Sequence, residues 1–207
     1  MNSALLDQVN GGKNHYGQVA GILSLHSSIP RLPGDPGHAQ TFDFPVVYST
    51  VEGVSIEQLI TIDQTCVTPV VAAARQVQEK GVCFIITSCG LYAPFQKLIA
   101  DRLDIPFISS GLQMVPMLKG FLPSHNKVGL ITGHSGLLSQ AHLATSGFNL
   151  DQVQVKGMQD YPEFRRVVLE GAQNMEVKKM RKDVVNAASS LKNSCDHLGL
   201  VVLECPN

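Results

Sequence analysis

The chain has 207 residues, of which 44% are apolar and 16% charged, with sixteen basic against seventeen acidic side chains for a net charge of −1. That balance excludes intrinsic disorder and offers no polyanion-binding surface, so no nucleic-acid partner is expected. No stretch approaches the roughly 20 consecutive apolar residues that span a bilayer, and Met1 to Gly12 lacks an apolar core and cleavage pattern. Five cysteines without tight spacing suit reduced thiols better than a disulfide framework or a zinc site, so a cytoplasmic, membrane-free, metal-free protein is expected.

Residues 1–16 are polar, carry Gly11-Gly12, and read as a flexible tail. Val19 to Leu25 reads as the first strand. The next stretch, Ser27 to Gly37, holds three prolines and two glycines and reads as an ordered loop, because proline disrupts helix interiors and central strands. Phe44 to Val51 reads as a second strand. Ser55 and Gln58 fit a capping box opening a helical pattern that runs to Lys80, with a break near Thr61 to Asp63, and stops at Gly81. Val82 to Ser88 is a strand, Leu91 to Leu103 a helix, Ile105 to Ser109 a strand, and a helix from Gly111 ends before Pro123.

The pattern restarts at Lys127. Val128 to Thr132 is a strand, Ser135 to Ser146 a helix closed by Gly147, and Val153 to Val155 a short strand. Helices at Pro162 to Gly171 and Glu176 to Asn193 precede a last strand, Leu198 to Leu203. The basic run Lys178 to Lys182 reads as a solvated helix face. Alternation of this kind predicts an α/β fold of two parallel-sheet lobes, residues 17–122 and 123–207, hinged near Phe121 to Asn126.

Two strand-like runs end alike. Phe84-Ile-Ile-Thr-Ser-Cys-Gly90 and Leu200-Val-Val-Leu-Glu-Cys-Pro-Asn207 each pass from apolar residues through polar ones to a thiol and then a strand breaker. Open α/β sheets place their chemistry beyond the carboxyl ends of the strands, where both thiols fall. Inverting a carbon beside a carboxylate needs a base on one face and an acid on the other. Two facing thiols supply both, because a cysteine pKa of about 8.5 lets either form be populated after modest tuning. Cys66, Cys83 and Cys195 lie within element patterns and read as packing residues. Gly133-His-Ser-Gly136 lacks the final glycine of a nucleophile elbow and reads as a strand-to-helix turn with Ser135 as the cap. His26 and His134 follow strands and are candidates to tune a thiol.

These residues resemble the aspartate/glutamate/hydantoin racemase superfamily, in particular an uncharacterised racemase-like branch. Thr87-Ser-Cys-Gly90 is similar to its first cysteine motif and Leu203-Glu-Cys-Pro-Asn207 to its second. Gly21-Ile-Leu, Pro30 to Gly37, Ser109 to Pro116 and Met158 to Phe164 add to the likeness, which covers most of Tyr16 to Asn207. The resemblance implies two pseudo-symmetric α/β lobes with the active site in the cleft between them, and no cofactor. It implies Cys89 and Cys205 as the acid/base pair. Thr87, Ser88, Gly90, Ser109, Ser110, Thr132 and Asn207 are then candidates to bind substrate carboxylate or amino groups, and Arg31 to pair with a distal carboxylate.

The expected function is racemisation or epimerisation of a small carboxylate, amino-acid or hydantoin substrate, and a homo-oligomer is compatible with the sequence. The alternatives are a decarboxylase, which in this superfamily uses one of the two cysteines, a cis–trans isomerase, or an inactive small-carboxylate-binding remnant. The family continues past its second cysteine motif. A chain shortened there is therefore expected to lack an element that returns to the first lobe, and to carry a terminal carboxylate beside Cys205. The two sulfurs should flank a cleft roughly 7–8 Å wide, since each needs about 3–3.5 Å to the reacting carbon.

Overall fold

The computed structural model describes residues 10–206. The tail expected over residues 1–16 lies partly, and Asn207 wholly, outside the described residues.

The first sheet contains β1 (Ala20–Leu25), β2 (Val46–Val51), β3 (Phe84–Thr87) and β4 (Phe107–Ile108) in the order β2-β1-β3-β4. The second contains β5 (Lys127–Thr132), β6 (Val153–Gly157) and β7 (Leu198–Leu203) in the order β6-β5-β7. Every pairing is parallel. In both sheets the first strand of the unit is central, the second lies on one side and the third on the other.

The equivalence extends to single residues. Gly21 pairs with Ile85 and Gly129 with Val201, each partner standing four positions before a cysteine. Both glycines lie under a helix that precedes the third strand. A Cβ at Gly21 would stand 2.2 Å from Val77 Cγ1 of α2 (Val67–Glu79), and one at Gly129 would stand 2.7 Å from Leu191 Cδ2 of α7 (Val177–Asn193). At these two positions only glycine lets the helix lie this close to the sheet.

Three apolar clusters hold the chain together. One packs Leu23, Ile85, Val70, Val77, Phe95 and Ile99 beneath the first sheet. Another, with Ile131, Met158, Phe164, Val167 and Leu191, lies beneath the second. The remaining cluster joins the halves: Ala93, Leu112 and Val115 pack with Val128, Leu130, Leu143 and Val202. Loss of water from these surfaces is the main driving term for docking the lobes.

Several predicted helices are shorter or tighter than their sequence pattern. The span from Leu91 to Leu103 is a 3₁₀ run, Gly90–Phe95, followed by α3 (Gln96–Ala100), because Pro94 inside the run removes a backbone donor. The helix from Gly111 is likewise a 3₁₀ turn, Gly111–Met114, then α4 (Val115–Gly120). Capping after β5 differs from expectation. His134, not Ser135, caps the short turn Ser135–Leu137 by accepting from Gly136 N–H. Ser139 caps α5 (Gln140–Ala144). The expected helix from Pro162 is α6 (Pro162–Phe164) leading into a π-helical turn, Arg165–Leu169. The capping box at Ser55 and Gln58 is present and opens α1 (Ile56–Ile60). No helix among the described residues is long and apolar enough to cross a membrane.

Candidate active site

Cys89 and Cys205 each stand two residues beyond the last residue of the third strand of their sheet, Thr87 in β3 and Leu203 in β7. The intervening residues are held in the same way. Ser88 N–H donates to Leu23 O at 2.9 Å, and Glu204 N–H donates to Ile131 O at 2.8 Å. One further rung of parallel pairing thus carries each chain past the sheet edge and releases it at the cysteine.

Both thiols line one cavity of about 550 Å³ at the carboxyl ends of the two sheets. Ser88, Gly90, Thr132 and Arg31 line it too, as do His26 and His134. The walls are largely apolar, with Ile29, Ile56, Ile60, Leu137, Val168 and Leu169 contributing from both halves. Gly133 lies close beneath Cys205: a Cβ there would be 3.5 Å from its Sγ.

The electrostatics make the two thiols interdependent. Burial pushes the Cys89 thiol well above the usual cysteine range, and the Glu204 carboxylate pushes it further. A hydrogen bond from Leu91 N–H pulls in the opposite direction, Cys205 adds to the rise, and Arg31 subtracts from it. Arg31 is placed by the proline-rich loop, where its Nη1 donates to both oxygens of Asp35 at 2.8 and 3.0 Å. Asp35 Oδ1 also accepts from Gly37 N–H at 2.6 Å, which folds the loop back on itself.

Three expected binding residues are placed elsewhere. Thr87, Ser109 and Ser110 are buried and do not line the cavity. Thr87 Oγ1 lies 2.6 Å from Ser109 O and 3.0 Å from Cys89 O, its one hydrogen shared between the two carbonyls, bracing the cysteine turn from behind. Ser109 Oγ accepts from Gln113 Nε2, and Ser110 Oγ accepts from Leu112 N–H to cap the following turn. Buried hydroxyls at strand ends are used first to satisfy local backbone, a rule that Thr87 and Ser110 follow, while Ser109 serves a neighbouring side chain.

Glu204 is the residue that the sequence reading left without a role. It lines the cavity yet is only 4% exposed. Its Oε2 accepts from Thr132 Oγ1 at 2.6 Å, and it also accepts from Gly133 N–H. Burial holds its pKa above the ordinary carboxylate range, while these two donors work against that rise. The available signal was an acid placed immediately before a strand-end cysteine, at a position whose parity matches buried Val202. Among the described residues no group of three or more His, Cys, Asp or Glu is placed to hold a metal ion.

The chain matches no family model. It is 24% identical over 196 residues to a dimethylsulfoniopropionate lyase of Durusdinium sp. clade D, covering 89% of this chain and 64% of the relative. It is 25% identical over 154 residues to dimethylsulfoniopropionate lyase 7 of Emiliania huxleyi, covering 71% and 45%. The chain therefore spans less than two thirds of the length of these curated relatives. Among solved structures, unliganded arylmalonate decarboxylase superposes with a TM-score of 0.54 at 14% identity, over 91% of this chain and 88% of that one. An aspartate racemase homologue from Pyrococcus horikoshii OT3 superposes at 0.51 with 13% identity, over 91% and 85%. With its two parallel sheets in matching strand order, the chain shares the two-lobe α/β fold of arylmalonate decarboxylase and of the aspartate racemase homologue.

Proposed function

We propose that the protein is a cofactor-independent enzyme that removes a proton from the carbon beside a carboxylate, with Cys89 and Cys205 as its acid/base pair. The observation that carries this reading is the meeting of two strand-end thiols, equivalently placed in two equivalent sheets, in one cavity. Ionisation of either of two thiols lining one cavity disfavours ionisation of the other. Cys89, held as a thiol by burial and by Glu204, is the proton donor of the pair, which leaves the base role to Cys205. Arg31 and Ser88 are the residues best placed to receive the substrate carboxylate.

The net reaction we favour is β-elimination from dimethylsulfoniopropionate, on the strength of lyase relatives of which one matches 89% of the chain and two match 71%. The thiolate takes an α-proton, the C–H electron pair becomes the second bond between the α- and β-carbons, and the bond from the β-carbon to sulfur breaks. Dimethyl sulfide leaves with that electron pair, acrylate remains, and the proton on the thiol returns to solvent. The second reading is racemisation or epimerisation of an amino acid or hydantoin. A thiol in each lobe favours it, because inversion needs a group on both faces.

Incubation in heavy water separates the readings. Elimination predicts dimethyl sulfide release from dimethylsulfoniopropionate. Racemisation predicts α-deuterium in recovered amino acid or hydantoin of both configurations. Either reading requires Cys205→Ala to lower turnover by several orders of magnitude, and racemisation requires Cys89→Ala to lower it as strongly, because only inversion needs the second proton donor. Unchanged turnover in both variants sinks the two-thiol mechanism.

A further inference from the structure

The residue before each cysteine occupies the same place in its lobe, yet one is Ser88 and the other Glu204. The backbone arrangement therefore does not call for an acid there. Burying a carboxylate is costly, and the fold provides for this one on both sides of the seam. Thr132 Oγ1, at 2.6 Å, and Gly133 N–H are donors that favour its charged form. Across the seam the first lobe makes room at Gly90, where a Cβ would stand 2.0 Å from Glu204 Oε1. The carboxylate thus sits at the base of the cavity where the two lobes meet.

Among the described residues lining the cavity, no net positive charge is set against this group. Arg31 comes from the loop before β2 with Asp35 on the same guanidinium, so that element contributes no net charge. The remaining titratable groups lining the cavity are His26, His134 and the two thiols. A dicarboxylate such as a malonate would bring a second negative charge toward Glu204 in a largely apolar enclosure, where repulsion is poorly screened. A cation would be attracted by the same amount. An ammonium would also need acceptors for its N–H groups, which the apolar wall of Ile29, Ile56, Ile60, Val168 and Leu169 does not offer. A methylated onium centre has no N–H to satisfy and presents methyl groups to that wall.

The structure assigns to Glu204 the choice of substrate: it selects a carboxylate zwitterion that carries a methylated onium centre beside the reacting carbons. This rests on the carbon-acid reading of the cavity and narrows its substrate class. The probe pair is dimethylsulfoniopropionate and 4-methylpentanoate, which have the same shape but differ in the onium charge. Calorimetric titration of the full chain, with Cys205→Ala in every protein titrated so that the sulfonium is not turned over, should show the sulfonium bound about tenfold more tightly, a difference of about 1.4 kcal/mol. Glu204→Gln, which keeps the shape and an acceptor for Thr132, should bind the two alike. Thr132→Val offers a second route if that variant does not fold. It removes a donor that favours the charged carboxyl, so the preference should persist at high pH and disappear at a higher pH than with Thr132 intact as pH falls.

Equal binding of both compounds with Glu204 intact, binding of neither, or a preference retained in Glu204→Gln overturns the proposal. Proton exchange separates its fate from that of the catalytic reading. Sulfonium preference without α-proton exchange sinks the catalysis alone, and exchange without preference sinks the charge selection alone.

Discussion

His142 of α5 reaches across the seam between the lobes and bonds the Leu59 carbonyl of α1 through Nε2 at 3.2 Å. Its other nitrogen, Nδ1, accepts from Ser139 N–H at 3.2 Å and lies 2.7 Å from Ser139 Oγ. The ring is fully buried, and its pKa is lowered chiefly by that burial. Neutral imidazole with hydrogen on Nε2 satisfies all of these contacts. Adding a proton at Nδ1 would set it against the Ser139 N–H.

A depressed histidine pKa makes stability depend on pH with a definite sign. The unfolded chain takes up a proton near pH 6.5 and the folded chain only at lower pH. Stability contributed by His142 is therefore complete above about pH 6.5 and declines as pH falls toward the lowered value. Chemical denaturation from pH 7.5 to 5 should show this loss. His142→Gln should flatten the decline, at a cost of about 1–3 kcal/mol at neutral pH for the disturbed bonds. An equally steep decline in the variant would place the proton uptake elsewhere.

Cys89 supplies a chemical test of the site's electrostatics. With its thiol held high by burial, then by Glu204, alkylation by iodoacetamide should stay slow until well above the pH at which an ordinary cysteine reacts. Cys83, which is exposed, serves as the internal comparison. Glu204→Gln removes the neighbouring charge, so the onset of Cys89 alkylation should move to lower pH while Cys83 is unchanged. Mass spectrometry of the labelled peptides reads both. Coincident onsets for Cys89 in the two proteins would mean that Glu204 does not act on this thiol.

Gly90 is expected to be intolerant of a methyl group. A Cβ there would meet the Glu204 carboxyl at 2.0 Å and the Glu204 carbonyl oxygen at 2.5 Å. The second contact is with backbone, which does not step aside as a flexible side-chain end does. Gly90→Ala should lower stability by about 1–3 kcal/mol and spread the two thiols apart, with turnover falling more than stability. The check is a denaturation midpoint together with turnover at saturating substrate. A variant that matches the wild type in both would show that the lobes shift to admit the methyl group.

The parallel α/β plan was legible because buried strands read as apolar runs closed by turn residues, as at Val128 to Thr132 and Leu198 to Leu203. Helix form was less so. Pro94 within Gly90–Phe95 marks a tight turn only once the register of β3 is known. Both cysteines, Arg31, Ser88, Gly90 and Thr132 could be brought toward one cavity from motif and strand-end logic. Thr87, Ser109 and Ser110 carry the same polar signature, but their hydroxyls serve neighbouring backbone or side-chain groups. Glu204 was hidden for the opposite reason. An acid beside a cysteine reads as solvated, and only the bond from its N–H to Ile131 O turns it inward.

Glu204 also sets a trade between stability and function. Its pKa is raised in the folded chain, so its contribution to stability is complete below about pH 4.3 and declines as pH rises through the raised value. Once ionised, the carboxylate is thus a destabilising burden that the fold carries for its site. Glu204→Gln keeps the volume and the bond from Thr132 without the charge. The variant should equal the wild type in stability near pH 4 and exceed it increasingly as pH rises to 7, while losing turnover. Denaturant midpoints across that range, paired with activity at each pH, test the point. A variant less stable than the wild type at pH 7 would mean that the charged bonds from Thr132 and Gly133 outweigh the cost of burial, and that the carboxylate is held for structure.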